Sequence, residues 1–314
     1  MKNYFPGRFV AVSAALKFLP FAFCLLIFDF PILAQGPSPE TGATLFPGGA
    51  LISYNSVFTT RIASAPAAPS ERRPTLTHEA PLTFMWGFRR DYQLTVVVPV
   101  VTHHLGRSEG GTGVGDTLVL LKYRFLRRDS PRGTTQAAVT AGPTLPTGRT
   151  GLRDVAGTFL PVHAQPGSGA AGLFLNLSGT YTGLFRVKRL VADESVTYVR
   201  RGEGAQQTRL GDFWESRFWL SYRPYQSKSV GAEWWVGPSL TWQHMGRDRR
   251  AGLREAASGG DVLWLGATTY YSPRAGLIFW LGAEVPPAQD LHGIPYRLGR
   301  RVSFGVTRQF TLRR

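Results

Sequence analysis

Residues 116–125 alternate between two kinds of side chain, and this two-residue period limits what the chain can fold into. One set is largely apolar and aromatic: Thr117, Val119, Leu121, Tyr123 and Phe125. The other set mixes apolar and charged groups: Asp116, Leu118, Leu120, Lys122 and Arg124. A polar turn at 127–133 and a returning segment at 134–141 follow. The pattern predicts a β-hairpin whose two faces meet different surroundings.

The same period recurs along most of the chain. Further strands are expected at 50–60, 76–88, 92–100, 173–181, 212–223, 230–242, 261–271, 275–285 and 297–310. Short connections alternate with long ones, as in barrels with short turns on one side and long loops on the other. For that alternation to hold, one more strand must lie within 183–207. The total is then twelve, an even number that leaves both termini on one side.

The N-terminal 34 residues read as a secretory signal peptide. Lys2, Arg8 and Lys17 precede an apolar run, 18–33, and small residues favour cleavage near Ala34. The alternative is a membrane anchor helix, but Pro and Asp interrupt the run. Cys24, the only cysteine, falls within the signal, so the exported chain has no disulfide framework and no cysteine metal site. Residues 35–48 are expected to be a periplasmic lead-in and 49–314 the β-barrel domain.

Length and aromatic placement favour a membrane barrel over a soluble β-sandwich. The apolar faces persist for about ten residues, the length with which a tilted strand crosses the hydrocarbon. Aromatic residues near strand ends fit interfacial girdles: Tyr92, Tyr123, Trp214, Tyr222, Trp242, Tyr270 and Tyr271. The predicted fold is an all-β, transmembrane, antiparallel up-and-down barrel of about 12 strands. Its short turns would face the periplasm and its longer loops the outside of a bacterial outer membrane.

The formal net charge is +16. The arginines are spread over turns and loops, with no basic helix, so nucleic acid is not expected as a partner. For an exported protein this charge favours outer-membrane lipid head groups and lipopolysaccharide phosphates. The other partners expected are the barrel-assembly machinery and a small-molecule solute.

Two stretches resemble a family of bacterial outer-membrane proteins named for the meta-pathway of phenol degradation, also labelled transporters. The first carries Gly113, Gly115, Asp116, 122–124 and the Pro/Gly return of 143–148. The second starts at Gly211 and Asp212 and reaches a Tyr-Arg-Pro at 222–224. The resemblance implies an outer-membrane barrel that passes hydrophobic or aromatic compounds, and it assigns no substrate residues.

Charged residues on the predicted inner face are the candidate functional residues: Glu79, Asp116, Lys122, Arg124, Glu215, Arg217, Arg223, Glu233, Glu284 and Arg301. They would form either a charged constriction that selects solutes or a salt-bridged filling that stabilises a narrow barrel. Because both signs are present, no strong anion selectivity follows.

The predicted function is passive diffusion of a small solute, hydrophobic or aromatic in class, across the outer membrane. One alternative is a closed structural or adhesive barrel that acts through outer loops 144–169 and 244–259. Another is a barrel lipid hydrolase using His78, His103 or His104, but no serine motif accompanies them and surface histidines explain them better. No catalytic, cofactor or metal site is predicted.

Overall fold

The computed structural model describes residues 41–63, 75–104, 110–131, 133–154, 156–227, 231–293 and 296–312. The predicted signal peptide and the first part of the lead-in lie outside the described residues. None of the helices in the described part of the chain is long and apolar enough to cross a membrane.

Twelve long strands form the wall of the molecule. They are β1 (Gly49–Ala63), β2 (Leu76–Arg89), β3 (Tyr92–His104), β5 (Thr117–Ser130), β6 (Gly133–Leu145), β7 (Gly172–Thr182), β8 (Leu190–Arg201), β10 (Phe213–Gln226), β11 (Glu233–Met245), β14 (Gly260–Arg274), β15 (Leu277–Leu291) and β16 (Tyr296–Thr311). The short strand β4 (Gly110–Val114) also pairs with β3, so β4 and β5 form one interrupted strand.

The wall closes on itself. Each strand pairs antiparallel with its neighbours in the chain, and β1 pairs with β16 from Gly49 opposite Thr311 to Ala63 opposite Tyr296. The all-β class, the antiparallel barrel and the number of twelve strands are therefore confirmed. The strand inferred within 183–207 is β8.

Alternation separates an apolar outer face from a polar inner face. On β5, Leu121, Tyr123 and Phe125 are 48%, 41% and 51% exposed, whereas Lys122 and Arg124 are 1% and 5% exposed. Exposed apolar side chains on the outside are unfavourable in water and favourable against lipid. The two faces of β5 therefore differ as the sequence predicts.

Several connections are shorter than the sequence indicates. The predicted turn at 127–133 shrinks because the ladder continues to Ser130 opposite Gly133. The predicted loop at 286–296 is mostly strand, since β15 runs to Leu291. Polar, Pro-containing ends of strands read like loops in a sequence, but their backbone can still pair with a neighbouring strand.

The long connections carry structure of their own. β9 (Thr208–Arg209), β12 (Arg249–Arg250) and β13 (Leu253–Arg254) form a three-stranded sheet outside the barrel wall. This sheet joins the connection between β8 and β10 to the one between β11 and β14.

Candidate functional site: the barrel interior

Residues 41–48, called here the N-terminal segment, lie inside the barrel at the end with the short turns. The carbonyl oxygen of Thr41 accepts hydrogen bonds from Lys122 Nζ and, at 3.0 Å, from Ser178 Oγ. The amide of Gly42 donates to Thr180 Oγ1 at 2.9 Å. These partners lie on β5 and β7, whereas the segment joins β1 directly, so it crosses the interior from one wall to another.

Close packing holds the N-terminal segment in place. A Cβ on Gly42 would lie 2.5 Å from the carbonyl oxygen of Gln136, so only glycine fits there. Further along, the amide of Leu45 donates to Gln93 Oε1 at 3.1 Å, and its side chain packs against Leu51 and Met85. The segment therefore narrows this end of the lumen. The sequence placed these residues ahead of the barrel, in the periplasm, and gave no sign of their place within it.

Arg124 anchors the turn between β2 and β3 from within the barrel. Its Nε and Nη2 donate to Asp91 Oδ1 at 3.0 and 2.6 Å, Nη1 donates to Gln136 Oε1 at 2.8 Å, and Nη2 also reaches the carbonyl oxygen of Arg90. Four of the five guanidinium N–H groups thus bind the chain itself. This arrangement matches the stabilising role that the sequence left open for the inner charges.

Replacing Arg124 with Met should destabilise the folded barrel by about 2 kcal/mol, because it removes charge-assisted hydrogen bonds from a buried site. Arg127→Met is the matched control. Arg127 binds Asp129 on the same hairpin, but its side chain is 32% exposed, and such pairs contribute at most about 1 kcal/mol. Urea unfolding in lipid vesicles, followed by tryptophan fluorescence, measures both variants. Equal losses in the two would contradict a special role for Arg124.

At the opposite end, Asp116 fastens the connection between β6 and β7, residues 146–171, called here the inner loop. Asp116 Oδ1 accepts from the amide of Gly148 at 3.0 Å, and Oδ2 accepts from Ser168 N and Oγ at 2.7 and 2.6 Å. The sequence predicts Asp116 as an inner-face charge of a strand. It lies instead in the bend between β4 and β5, where its carboxylate is occupied by backbone and hydroxyl donors.

Glycines allow the inner loop to pack closely against the bend between β4 and β5 and against itself. A Cβ on either Gly148 or Gly167 would lie 2.5 Å from the Cα of the other. A Cβ on Gly113 would lie 2.9 Å from Pro166 Cγ, and one on Gly115 3.0 Å from the Pro166 carbonyl oxygen. The glycines and the aspartate that carried the family resemblance therefore share one structural task, the seating of this loop.

The inner loop packs against the inside of β3 and β4. A Cβ on Gly111 would lie 2.2 Å from Leu152 Cδ1, and His103 Nε2 lies 3.3 Å from the Gln165 carbonyl oxygen. Gln165 binds the amide and carbonyl of Leu152 and the carbonyl of Leu160, and it is 4% exposed. The loop is thus a folded element that narrows the lumen at its second end.

A second Gly-Asp pair, Gly211 and Asp212, holds another connection, the one between β8 and β10. Burial would raise the pKa of Asp212. Hydrogen bonds from the Arg201 amide, the Tyr198 hydroxyl and the Arg209 guanidinium outweigh it and lower that pKa. The Gly211 amide donates to Asp248 Oδ1 at 2.8 Å. The ionised carboxylate therefore holds the connection between β8 and β10 against the barrel rim.

The largest group of predicted charges meets on the wall formed by β10, β11 and β14 to β16. Arg301 Nε donates to Glu284 Oε2, and its guanidinium lies 4.5 Å above the ring of Trp264. Trp264 Nε1 donates to Gln243 Oε1, and Gln243 Nε2 donates to Glu215 Oε2. Glu215 also pairs with Arg217 at 3.0 Å. Two acids and two bases thus form one connected network.

Aromatic side chains continue this wall toward the short-turn end. The rings of Trp219 and Tyr270 lie 4.9 Å apart, those of Tyr270 and Trp280 lie 6.3 Å apart, and Trp280 Nε1 donates to Asn55 Oδ1. The prediction that Tyr270 belongs to an outer girdle is wrong. Because adjacent residues of a strand point to opposite faces, only Tyr271, which is 48% exposed, can face outward.

The remaining predicted charges lie apart. Arg223 pairs with Glu233 at 3.3 Å and lies 4.8 Å above the Trp235 ring. Glu79 is exposed, and it makes no hydrogen bond or ion pair with any described residue. The structure therefore distributes the ten residues over separate clusters, most of them neutralised by a partner of opposite sign, rather than in one ring.

His78 and His103 do not share a site, and His104, which follows His103 on β3, is exposed. His78 stacks on Phe58 at 4.2 Å on the outer face, and its Nε2 lies 3.1 Å from Ser56 Oγ. His103 faces inward against Thr77. The Ser56–His78 pair was not found from the sequence. It has no carboxylate or amide on His78 Nδ1 among the described residues, and Ser56 is 2% exposed, so it lacks the geometry of a nucleophile.

Comparison with known proteins places the fold but not a family. No family model matches the chain, and no curated protein matches it. Among solved structures, an outer-membrane channel, COG4313, from Pseudomonas putida F1 matches with a TM-score of 0.65 and 12% identity over 88% of this chain and 100% of that one.

Two further barrels match less well. The NanC porin has a TM-score of 0.47 and 10% identity over 81% of this chain and 98% of its own. The β domain of the Bordetella autotransporter BrkA has the same TM-score and identity over 84% and 100%. At these identities the likeness concerns the fold alone. The chain therefore has a closed twelve-stranded barrel fold similar to that of an outer-membrane channel.

Proposed function

We propose that the protein is an outer-membrane channel for passive diffusion of small solutes. The observation that supports this most is the closed barrel with an exposed apolar outer face and a polar inner wall. Strands that pair with a neighbour on each side around a closed ring can lie in lipid, and the inside of such a ring can admit water and solute. The signal peptide predicted at 1–34 and the short-turn and long-loop sides fit insertion with the termini in the periplasm.

The solute class follows from the lining. The aromatic wall of Trp219, Tyr270 and Trp280 offers flat apolar surface, and the charge network beside it is internally neutralised. Such a lining favours small uncharged solutes with apolar surface over strongly charged ions. This is the hydrophobic or aromatic class that the family resemblance implies.

Reconstitution tests the proposal. Purified protein in planar bilayers should give discrete conductance steps, and liposomes containing it should swell in a small uncharged solute faster than protein-free liposomes. The control is the same preparation unfolded by heat before reconstitution. A folded protein that gives neither conductance nor swelling would remove the channel proposal.

A closed structural barrel is the second candidate, because both lumen ends are narrowed by the chain itself. The N-terminal segment crosses one end and the inner loop the other. In that case the folded protein would conduct nothing, and the sheet formed by β9, β12 and β13 with the inner loop would supply the outer surface for a partner.

A further inference from the structure

The barrel wall is incomplete between β15 and β16. Their ladder runs from Leu277 opposite Arg308 to Glu284 opposite Arg301 and stops there. Beyond that point, toward the long-loop end of the barrel, residues 285–291 of β15 and 296–300 of β16 are all described. No residue of the first range pairs with a residue of the second. Residues of β15 in this range pair with β14, and those of β16 pair with β1. We call this unpaired stretch the outer seam.

Two prolines explain where the ladder stops. Pro286 and Pro287 have no amide hydrogen, so they cannot donate to a neighbouring strand. On the other side of β15, Leu263 pairs with Ala288 and Leu265 pairs with Val285. The two prolines therefore lie opposite the single residue Trp264 as a β-bulge, which turns β15 away from β16.

A side chain takes the place of the missing backbone pairing. Gln289 Nε2 donates to the Leu298 carbonyl oxygen at 3.0 Å, and Gln289 Oε1 accepts from the Leu298 amide at 2.8 Å. One amide side chain thus spans the outer seam. The ion pair of Glu284 and Arg301 closes its lower end on the inner side. Side chains join β15 to β16 over a stretch where the flanking ladders, β14 with β15 and β16 with β1, still continue to Leu291 and Tyr296.

The outer seam lies at the edge of the apolar outer face that is nearer the long loops. Val285 on β15, Leu265 on β14 and Ile62 on β1 are exposed beside it, at 49%, 49% and 63%. Arg297 and Arg300 are also exposed on β16, and guanidinium groups suit the phosphate head groups of a membrane surface. The seam therefore faces both apolar chains and the head-group layer of an outer leaflet.

From these observations we infer that the outer seam is a lateral portal, through which a small apolar solute passes between the lumen and the outer leaflet. The inference rests on the proposed channel function. The N-terminal segment and the inner loop narrow the two axial routes, whereas the seam is closed over its length by the Gln289 amide. Rotation of that one side chain separates the two strands without breaking any backbone ladder. Gln289 is thus a positioning residue that keeps the portal shut.

Cross-linking tests the portal in cells. Cys24, the only cysteine, lies in the predicted signal peptide. Gln289→Cys with Leu298→Cys therefore gives one defined pair in the cleaved chain, joined by a short bis-methanethiosulfonate reagent. The control pair, Ile278→Cys with Thr307→Cys, joins the same two strands where they are already paired. The apolar probe N-phenyl-1-naphthylamine, which fluoresces in membrane, reports the lateral route. Swelling of liposomes that contain the same variants, in a small uncharged solute, reports the axial route.

We expect cross-linking of the seam pair to reduce probe uptake to that of cells lacking the protein, with liposome swelling in the small uncharged solute unchanged. The control pair should change neither. Gln289→Leu, which cannot bridge the strands, should raise probe uptake above wild type. Unchanged probe uptake after cross-linking would overturn the portal and leave the channel standing, as would an equal loss of both signals. A wild-type protein that admits neither compound would overturn the channel and the portal together.

Discussion

Deleting residues 37–46 should raise the conductance of the barrel at least about threefold. Conductance follows the narrowest cross-section, and the deletion removes most of the N-terminal segment, which occupies one end of the lumen. The deletion keeps the predicted cleavage site and the start of β1. Thr41, Gly42 and Leu45, which bind the inner wall, would be removed together. Single-channel recording on the reconstituted protein measures the change.

Point variants separate loss of the segment from loss of its anchor. Lys122→Met removes the ammonium group that binds the Thr41 carbonyl, so we expect a noisier channel with conductance between wild type and the deletion. Lys188→Met is the matched control, since Lys188 is exposed in the connection between β7 and β8. If the deletion folds, as shown by heat-modifiable gel mobility, and conducts like wild type, the segment does not limit the lumen.

Local alternation explains why the barrel wall could be predicted from the sequence. The period of two depends only on neighbouring residues, so Leu121 and Lys122 could be assigned to opposite faces without any knowledge of partners. The alternation of short turns with long loops then located β8, whose own pattern is weak. The strand ends were less predictable, because pairing of Ser130 with Gly133 depends on a partner strand rather than on local composition.

Contacts distant in sequence explain what the sequence did not show. The N-terminal segment has no strand period, and its place is set by Lys122 and Ser178, which are 81 and 137 residues away from Thr41. The outer seam likewise arises from two prolines and a glutamine that look like an ordinary loop. Gly113 and Gly148 contribute to the family resemblance in the sequence. Only the folded chain shows that they let the inner loop pack closely against the bend between β4 and β5.

The candidate charges were found as residue types on a face, but their partners were not. Alternation placed Glu284 and Arg301 inward, whereas their pairing needs the register of β15 against β16. The same register opposes Gly282 to Ser303 and leaves Trp280 beside Gly305. A sequence can therefore predict the polarity of the lumen. Whether its charges select solutes or neutralise each other depends on the register, and the pairs described here favour neutralisation.

Replacing Asp116 with Ala should release the inner loop from the barrel. Its carboxylate accepts three hydrogen bonds from Gly148 and Ser168, and hydrogen bonds to a charged group contribute about 1.5–3 kcal/mol each. We expect trypsin to cleave the released loop after Arg149 or Arg153 in intact cells, at a rate at least about tenfold above wild type, since 1.4 kcal/mol corresponds to a factor of ten in the open population.

Asp154→Ala is the control within the same loop. Among the described residues, Asp154 Oδ1 accepts from the amides of Ala156 and Thr158 alone, so its loss disturbs a local turn without detaching the loop from Asp116. Its cleavage rate should stay close to that of wild type. Release of the loop should also raise the conductance of Asp116→Ala, because the loop narrows the second end of the lumen. Faster cleavage with unchanged conductance would show that the loop covers the mouth without limiting flow, and the narrowest point would then lie at the N-terminal segment alone.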